Sequence, residues 1–400
     1  MAMRKLIGAD LNVVFMGTFP YPQGMAGTKR IQHAIEGLKG TPNVIMRVIV
    51  LTQSSRDNAL SGRHMGIPYQ TVMGDLVRLR TALLFPLFYL RARRALKRAY
   101  RAECDNVIYN YGVPNLFNTG ILAYAKSCGY KIVLDVVEDY DTGMKNSRSL
   151  YHLIKVVGIR CLKRHVKHLT SGIVVISSHL EKKYRGLTNF KRPIHYRPIS
   201  VDFSFFGAPS IPFGGMVTLF YAGSFGKKDG LFILLDAFDR IATQRANVRL
   251  VLTGKAKDDV MRQILSRITS SPFKNRIDYK GYLDDEAYYD VLNSADIPCM
   301  TRIDSPFAQA GFPFKLGEFL ATGKPVIASR VSDIAGMLKD GKDVMLVNPG
   351  DPNGIVHAVE YLIDNPDKAI AMGERGQEAA RRLFDLRLQG HALQAFLRGL

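Results

Sequence analysis

Strand-like and helix-like segments alternate along nearly the whole chain, and they do so in two series. The first holds the β-branched runs NVVFMG (12–17), NVIMRVIVL (43–51), NVIYNY (106–111), KIVLDVV (131–137) and GIVVIS (172–177). Helical periodicity lies between them, near 28–38, 82–103, 115–128 and 149–168. Short strands spaced by helix-length segments imply βαβ crossovers and a parallel sheet. The pattern breaks at 191–215, KRPIHYRPISVDFSFFGAPSIPFGG, where four prolines and three glycines leave no helical period. It resumes with MVTLFYAG (216–223), NVRLVLTG (247–254), RIDYKG (276–281), DIPCMT (296–301), KPVIAS (324–329) and DVMLVNP (343–349), then two helices end the chain.

Two doubly wound α/β domains facing a cleft are therefore expected. Their predicted ranges are 1–200 and 201–380, with a helix at 381–400 that crosses back to the first. The length of 400 residues agrees, because it exceeds what one hydrophobic core ordinarily serves. In such sheets ligands bind beyond the carboxyl ends of the strands.

The net charge of +20 is unevenly placed. Residues 1–200 hold 31 Lys and Arg against 11 Asp and Glu, whereas residues 201–400 hold 24 of each. The first half thus faces something anionic: nucleic acid, an acidic lipid surface or a phosphorylated substrate. The segment RLRTALLFPLFYLRARRALKRAYRA (78–102) interleaves Leu, Phe and Tyr with Arg91, Arg93, Arg94, Lys97 and Arg98. That mixture suits the headgroup boundary of an anionic membrane. It also suits an ordinary helix whose arginines are solvated. Its apolar run ALLFPLFYL is too short to span a bilayer. The N-terminus reads as a lead into a strand rather than a signal peptide. Four scattered cysteines without a CxxC pair fit a reducing cytoplasm and argue against a zinc knuckle.

Three stretches carry candidate chemistry. In PFAQAGFPFKLGEFLATGKPVIAS (306–329), Pro313 suits the first turn of a helix, and Lys315 and Glu318 share one face of it. Free N–H groups beside a lysine make an anion site, and a carboxylate one turn on can accept both hydroxyls of a ribose. A plain surface ion pair explains the same residues. In LFYAGSFGKKDGLFILLDAF (219–238), Lys227 and Lys228 lie in a strand-to-helix turn, either beside a diphosphate or simply solvated. In FMGTFPYPQGMAGTKRIQHAIEGL (15–38), a glycine-rich loop precedes a helix with Lys29 and Arg30 in its first turn. Cations there oppose the helix dipole, a cost that a docked anion offsets or that an exposed surface simply tolerates.

These stretches, with LVLTG, IDYKGYLDDEAYYDVLNSADI, VVISSHLEKKY and PISVDFSFF, resemble family 4 glycosyltransferases of the GT-B fold in order and rough spacing. The helix start is similar to a bacterial sub-branch beginning Pro-x-Lys-Leu-x-Glu. The resemblance implies a retaining hexosyl transfer from a UDP- or GDP-type nucleotide sugar, with no cofactor and no strict need for metal. It assigns Glu318 to the nucleotide ribose, Lys228 to the diphosphate, Gly311 and Phe312 to backbone contacts near the donor sugar, and Gly27 to a loop over the β-phosphate. Two positions depart from the pattern. Ala310 stands where a first glutamate is usual, and Ser224 where an arginine is usual, so Lys315 and Lys227 are expected to supply charge. Glu138 lies near the position of an acceptor-side histidine and is a candidate for orienting the attacking hydroxyl.

The expected donor-site set is therefore Gly27, Ser224, Lys227, Lys228, Gly311, Phe312, Lys315 and Glu318. Asp139-Tyr140-Asp141 reads as a chance DxD pattern, and His165 and His168 as solvated residues. Membrane attachment at the inner face and a lipid-linked saccharide acceptor in cell-surface polysaccharide synthesis follow from the basic half and the resemblance. Two rival classes remain: a nucleic-acid-binding protein, for which no module appears and no nucleic acid is expected as partner, and a sugar-nucleotide epimerase on the same fold.

Overall fold

A computed structural model of the chain describes residues 10–51, 58–72, 85–112, 116–141, 150–207 and 215–400, without the side chains of residues 85, 150–155 and 227. The chain divides into two compact units, residues 1–198 with 386–400, and residues 199–385.

In the first unit β1 (Leu11–Gly17), α1 (Ala26–Lys39), β2 (Val44–Val50), β3 (Ser61–His64), β4 (Ile67–Thr71), α2 (Phe85–Ala99), β5 (Asp105–Tyr111), α3 (Leu116–Ser127), β6 (Lys131–Val136), α4 (Leu150–Leu169), β7 (Gly172–Val175), α5 (Ser178–Leu187) and β8 (Ile194–Tyr196) follow in order. The strands form one sheet, β3-β4-β2-β1-β5-β6-β7-β8, parallel except for β3. β1 is buried along its full length, as a central strand covered on both faces must be. The predicted strands are all present. The hairpin β3–β4 and the short β8 were not expected, because SGRH and IPYQT lack a β-branched run and β8 lies inside the proline-rich break.

The second unit runs β9 (Val217–Gly223), α6 (Leu231–Gln244), β10 (Val248–Gly254), α7 (Asp258–Thr269), β11 (Ile277–Tyr279), α8 (Asp285–Ser294), β12 (Ile297–Met300), α9 (Pro306–Ala310), α10 (Phe314–Ala321), β13 (Ile327–Ser329), α11 (Ile334–Met337), β14 (Met345–Val347), α12 (Pro352–Asp364) and α13 (Pro366–Phe384). Its sheet is wholly parallel, β11-β10-β9-β12-β13-β14. Leu219, Leu250, Ile297 and Ile327 from four strands pack against Leu234, Phe238 and Val359 in one core.

The last helix, α14 (Leu386–Arg398), belongs to the first unit and packs on α1. Leu393 and Leu397 are fully buried in that unit's core. Gly37 and Gly390 bring the two backbones together: a Cβ on Gly390 would meet the Gly37 carbonyl oxygen at 2.2 Å. The preceding helix α13 stays with the second unit, against α10.

Candidate active site

The second unit collects most of the expected donor-site residues at the carboxyl edge of its sheet. β9 ends at Gly223, and a short turn leads through a 3-10 segment, Lys227–Asp229, into α6. Asp229 organises this turn. Its Oδ2 accepts the Ser224 hydroxyl at 2.8 Å and the Gly226 N–H at 2.9 Å. Ser224 is thus a brace of the turn as well as an exposed edge residue. Gly230 closes the turn with a left-handed φ of 66°, and any Cβ there would lie 2.8 Å from the Thr301 carbonyl oxygen. Lys228 is half-buried beside it, and its carbonyl accepts the Ile303 N–H at 3.1 Å. The side chain of Lys227 lies outside the described residues.

Neighbouring β12 runs out into the loop 301–305 and the single turn α9, which Ser305 caps by accepting the Ala308 N–H. Gly311 follows with an ordinary extended backbone, φ −94° and ψ 173°. Phe312 turns its ring onto Phe384, 5.7 Å between centroids, so its side chain serves packing and its backbone is what the edge receives. Ala310 is fully buried. The helix α10 then starts at Phe314, and the residue before it, Pro313, makes no side-chain cap.

Lys315 and Glu318 lie one turn apart on α10, as expected, with 3.4 Å between Nζ and Oε2. They are not a plain surface pair, because Glu318 is only 5% exposed. A buried carboxylate needs donors, and α8 supplies them. Tyr288 donates to Oε2 at 2.8 Å and Tyr289 to Oε1 at 3.2 Å. The Lys315 ammonium also sits over the Tyr288 ring, 3.7 Å from its centroid. Burial, followed by the adjacent Glu318 charge, pushes both phenols well above their ordinary range, so they remain donors at any physiological pH. The tyrosine pair was not singled out from the sequence. In EAYYDVL the two rings count as apolar positions of an amphipathic helix, and nothing local reveals where the hydroxyls point.

The remaining candidates are in the first unit. Gly27 lies in the first turn of α1, where a Cβ would meet the Tyr111 ring and hydroxyl at 2.8 Å, so a larger residue would require that ring to shift. Arg30 corrects an expectation. It is not waiting for an anion: its Nε and Nη2 donate to both oxygens of Asp135 at 2.7 and 2.8 Å, and Nη2 also to the Arg197 carbonyl at 2.9 Å. The ion pair is buried, with side chains 4% and 0% exposed. Glu138 is exposed just after β6. Beside it Lys183 bridges Asp139 and Asp141, and Lys163 also binds Asp141. Burial works against the Asp139 charge, but the Lys183 ammonium and the Asp141 N–H hold that carboxyl below its ordinary value. The DxD pattern is therefore neutralised by lysines. Among the described residues no group of three His, Cys, Asp or Glu is placed to hold a metal ion.

Helix α2 buries Phe88, Ala92, Ala95, Leu96 and Ala99 and exposes Leu87, Leu90, Arg91, Arg94, Lys97 and Arg98. Arg93 departs from this face, because its guanidinium lies 4.1 Å from the centroid of the Tyr124 ring. Arg78 and Arg80 fall outside the described residues. No described helix is long and apolar enough to cross a membrane.

Residues 217–365 match the family described as "Glycosyl transferases group 1", so the second unit carries a glycosyltransferase group 1 domain. The chain is 27% identical to a phosphatidyl-myo-inositol mannosyltransferase of Mycobacterium leprae over 187 residues, 46% of this chain and 47% of that protein. It is 25% identical to the lipopolysaccharide core biosynthesis glycosyltransferase LpsE of Rhizobium meliloti over 157 residues, 39% of this chain and 42% of that one. The chain spans about half the length of the curated relatives it matches. Among solved structures, Anabaena Alr3699/HepE in complex with UDP aligns over 98% of this chain and 100% of its own, with a TM-score of 0.72 at 15% identity. Sucrose-phosphate synthase from Thermosynechococcus elongatus aligns over 97% and 98%, with a TM-score of 0.73 at 15% identity. The fold is that of the two-domain GT-B glycosyltransferases.

Proposed function

We propose that this chain is a retaining glycosyltransferase that moves a hexosyl group from a nucleotide-diphosphate sugar to a lipid-linked saccharide at an anionic membrane surface. The carrying observation is the pairing, on one sheet edge of the group 1 domain, of the lysine-bearing turn 227–229 with the uncapped start of α10 and its buried Glu318. The diphosphate needs cations and free N–H groups, and the ribose diol needs a carboxylate already held in place. Crystals of Anabaena HepE contain UDP and UDP-glucose, which favours a nucleotide sugar as donor.

In this reading the bond between the sugar's anomeric carbon and the diphosphate oxygen breaks, and negative charge grows on the leaving group. Lys228 and the amides at the start of α10 stabilise that charge, and Lys315 adds to the field while fixing Glu318. The acceptor oxygen bonds to the same face of the anomeric carbon, and its proton passes to the departing phosphate oxygen. Glu138 orients the acceptor hydroxyl. The scheme does not strictly require a metal. The outward row of α2, two leucines followed by four cations, fits a headgroup boundary. Related proteins named as a phosphatidyl-inositol mannosyltransferase and a lipopolysaccharide core transferase support a lipid-borne acceptor. The enzyme would then work as a peripheral protein on the cytoplasmic face.

A thermal-shift panel of UDP, GDP, ADP and their sugar conjugates tests the reading, because a ligand specific to the native state raises its melting temperature by mass action. One nucleotide series should stabilise the wild type, and Glu318→Ala should lose most of that shift. No response to any of the series would overturn the assignment. Release of an epimerised sugar nucleotide in the absence of acceptor would replace transfer by epimerisation.

A further inference from the structure

Arg302 follows β12 at the carboxyl edge of the second sheet, in a loop from which the sequence suggested no role. Its side chain is 14% exposed. Among the described residues its one ion-pair partner is Asp229, with Nε 4.0 Å from Oδ1, beyond hydrogen-bond reach. The other oxygen of Asp229 is engaged by Ser224 and Gly226. Burial lowers the Arg302 pKa, and the attraction of Asp229 opposes this only in part. A desolvated guanidinium is costly unless its five N–H groups find acceptors.

The backbone fixes this group beside Lys228. β12 pairs with β9 through Ile297 and Leu219, so the two loops leave adjacent strands. The Ile303 N–H donates to the Lys228 carbonyl at 3.1 Å, and Thr301 Oγ1 reaches the Gly230 carbonyl at 3.4 Å. The Arg302 N–H is itself anchored on Ser329 Oγ at 2.8 Å. Arginine and lysine are thus carried on two loops stitched at two points, and a third bond ties the arginine's loop to β13. A planar fork next to an ammonium matches two neighbouring phosphoryl groups better than either cation alone.

We propose that Arg302 is the second cation of the diphosphate site: it engages phosphoryl oxygens alongside Lys228, and Asp229 holds it in register while the site is empty. The assignment rests on the donor reading above and names one more binding residue within it. It also accounts for the serine at position 224, where the resemblance leads one to expect an arginine. The charge comes from the neighbouring strand, and the serine is free to brace Asp229.

Calorimetric titration of the wild type, Arg302→Gln and Arg302→Lys with UDP, GDP and ADP and with the corresponding nucleosides tests this. For the base that the wild type binds, Arg302→Gln should weaken the diphosphate by about 10- to 100-fold, the usual worth of a charge-assisted hydrogen bond. Nucleoside affinity should stay within about threefold, and Arg302→Lys should recover part of the loss. An unchanged diphosphate affinity overturns the proposal. So does an equal loss for diphosphate and nucleoside, since a side chain that only holds the loop would weaken both alike. A wild type that binds none of the three diphosphates overturns the donor reading itself.

Discussion

The Tyr288 hydroxyl lies 2.8 Å from Oε2 of Glu318, and through this contact α8 fixes the one carboxylate on α10. The carboxylate is oriented by the protein alone, with Tyr289 on its other oxygen. Removing a donor from a buried charge leaves its desolvation uncompensated. Tyr288→Phe should therefore lower stability by about 1–3 kcal/mol. Combined with Glu318→Gln, the two changes should be less than additive by about 0.5–3 kcal/mol in a denaturant-unfolding cycle. Strict additivity would mean that the contact carries no energy. The chain has no tryptophan, so circular dichroism is the suitable probe.

Arg30 and Asp135 make a second buried contact, a bidentate ion pair. Breaking such a pair on one side strands a charge and costs about 3–5 kcal/mol, whereas replacing both partners by apolar groups is often neutral. Asp135→Asn should unfold the first unit at clearly lower denaturant than wild type, and Arg30→Met with Asp135→Leu should recover most of the difference. Hydrogen exchange of peptides from α1 reports the outcome. A double variant as weak as the single one would contradict the argument.

His195, on β8, stacks on Phe396 of α14 with 5.2 Å between ring centroids. Burial, with Arg197 second, lowers its pKa to about 4. The unfolded chain takes up a proton near pH 6.5, the folded one only near 4, so acid favours unfolding. The contribution is intact above about pH 6.5 and is lost as pH falls toward 4, up to roughly 3 kcal/mol. His195→Leu should show a shallower decline across that window and little change in slope near pH 8. Parallel stability curves for the two proteins would refute this.

The outward row of α2 predicts salt-sensitive attachment to anionic vesicles. Reversing Arg91, Arg94, Lys97 and Arg98 to glutamate should abolish flotation with vesicles rich in an anionic phospholipid and leave the melting temperature nearly unchanged. Arg93 is omitted because its stacking on Tyr124 makes it a packing residue. Equal flotation of both proteins would exclude α2 as the contact.

The βα alternation exposed the architecture well, because buried parallel strands are written as apolar β-branched runs. β3 escaped because SGRH forms an edge strand with little of its surface buried, so its pairing depends on a neighbour rather than on its own pattern. At the candidate site, Glu318, Lys315 and Lys228 stand out in the sequence, because a pair of charges in an apolar helix and a doubled lysine in a turn break their surroundings. Arg302 was not, because a loop has no period against which one cation can be noticed. Arg30 was misread for a definite reason. A basic first turn suggests an anion when only the helix is considered, and its true partner, Asp135, lies 105 residues away on β6. Tyr288 and Tyr289 show the same limit, because their role exists only once α8 and α10 touch.

The chain passes between its units twice, after Pro198 and again before Leu386. A ribosome therefore delivers every residue of the second unit before it delivers the fifteen that finish the first. Until Leu393 and Leu397 emerge, the opposing side of α1 faces water, and the earlier-made half waits on the later one. Loss of α14 would thus be felt at α1.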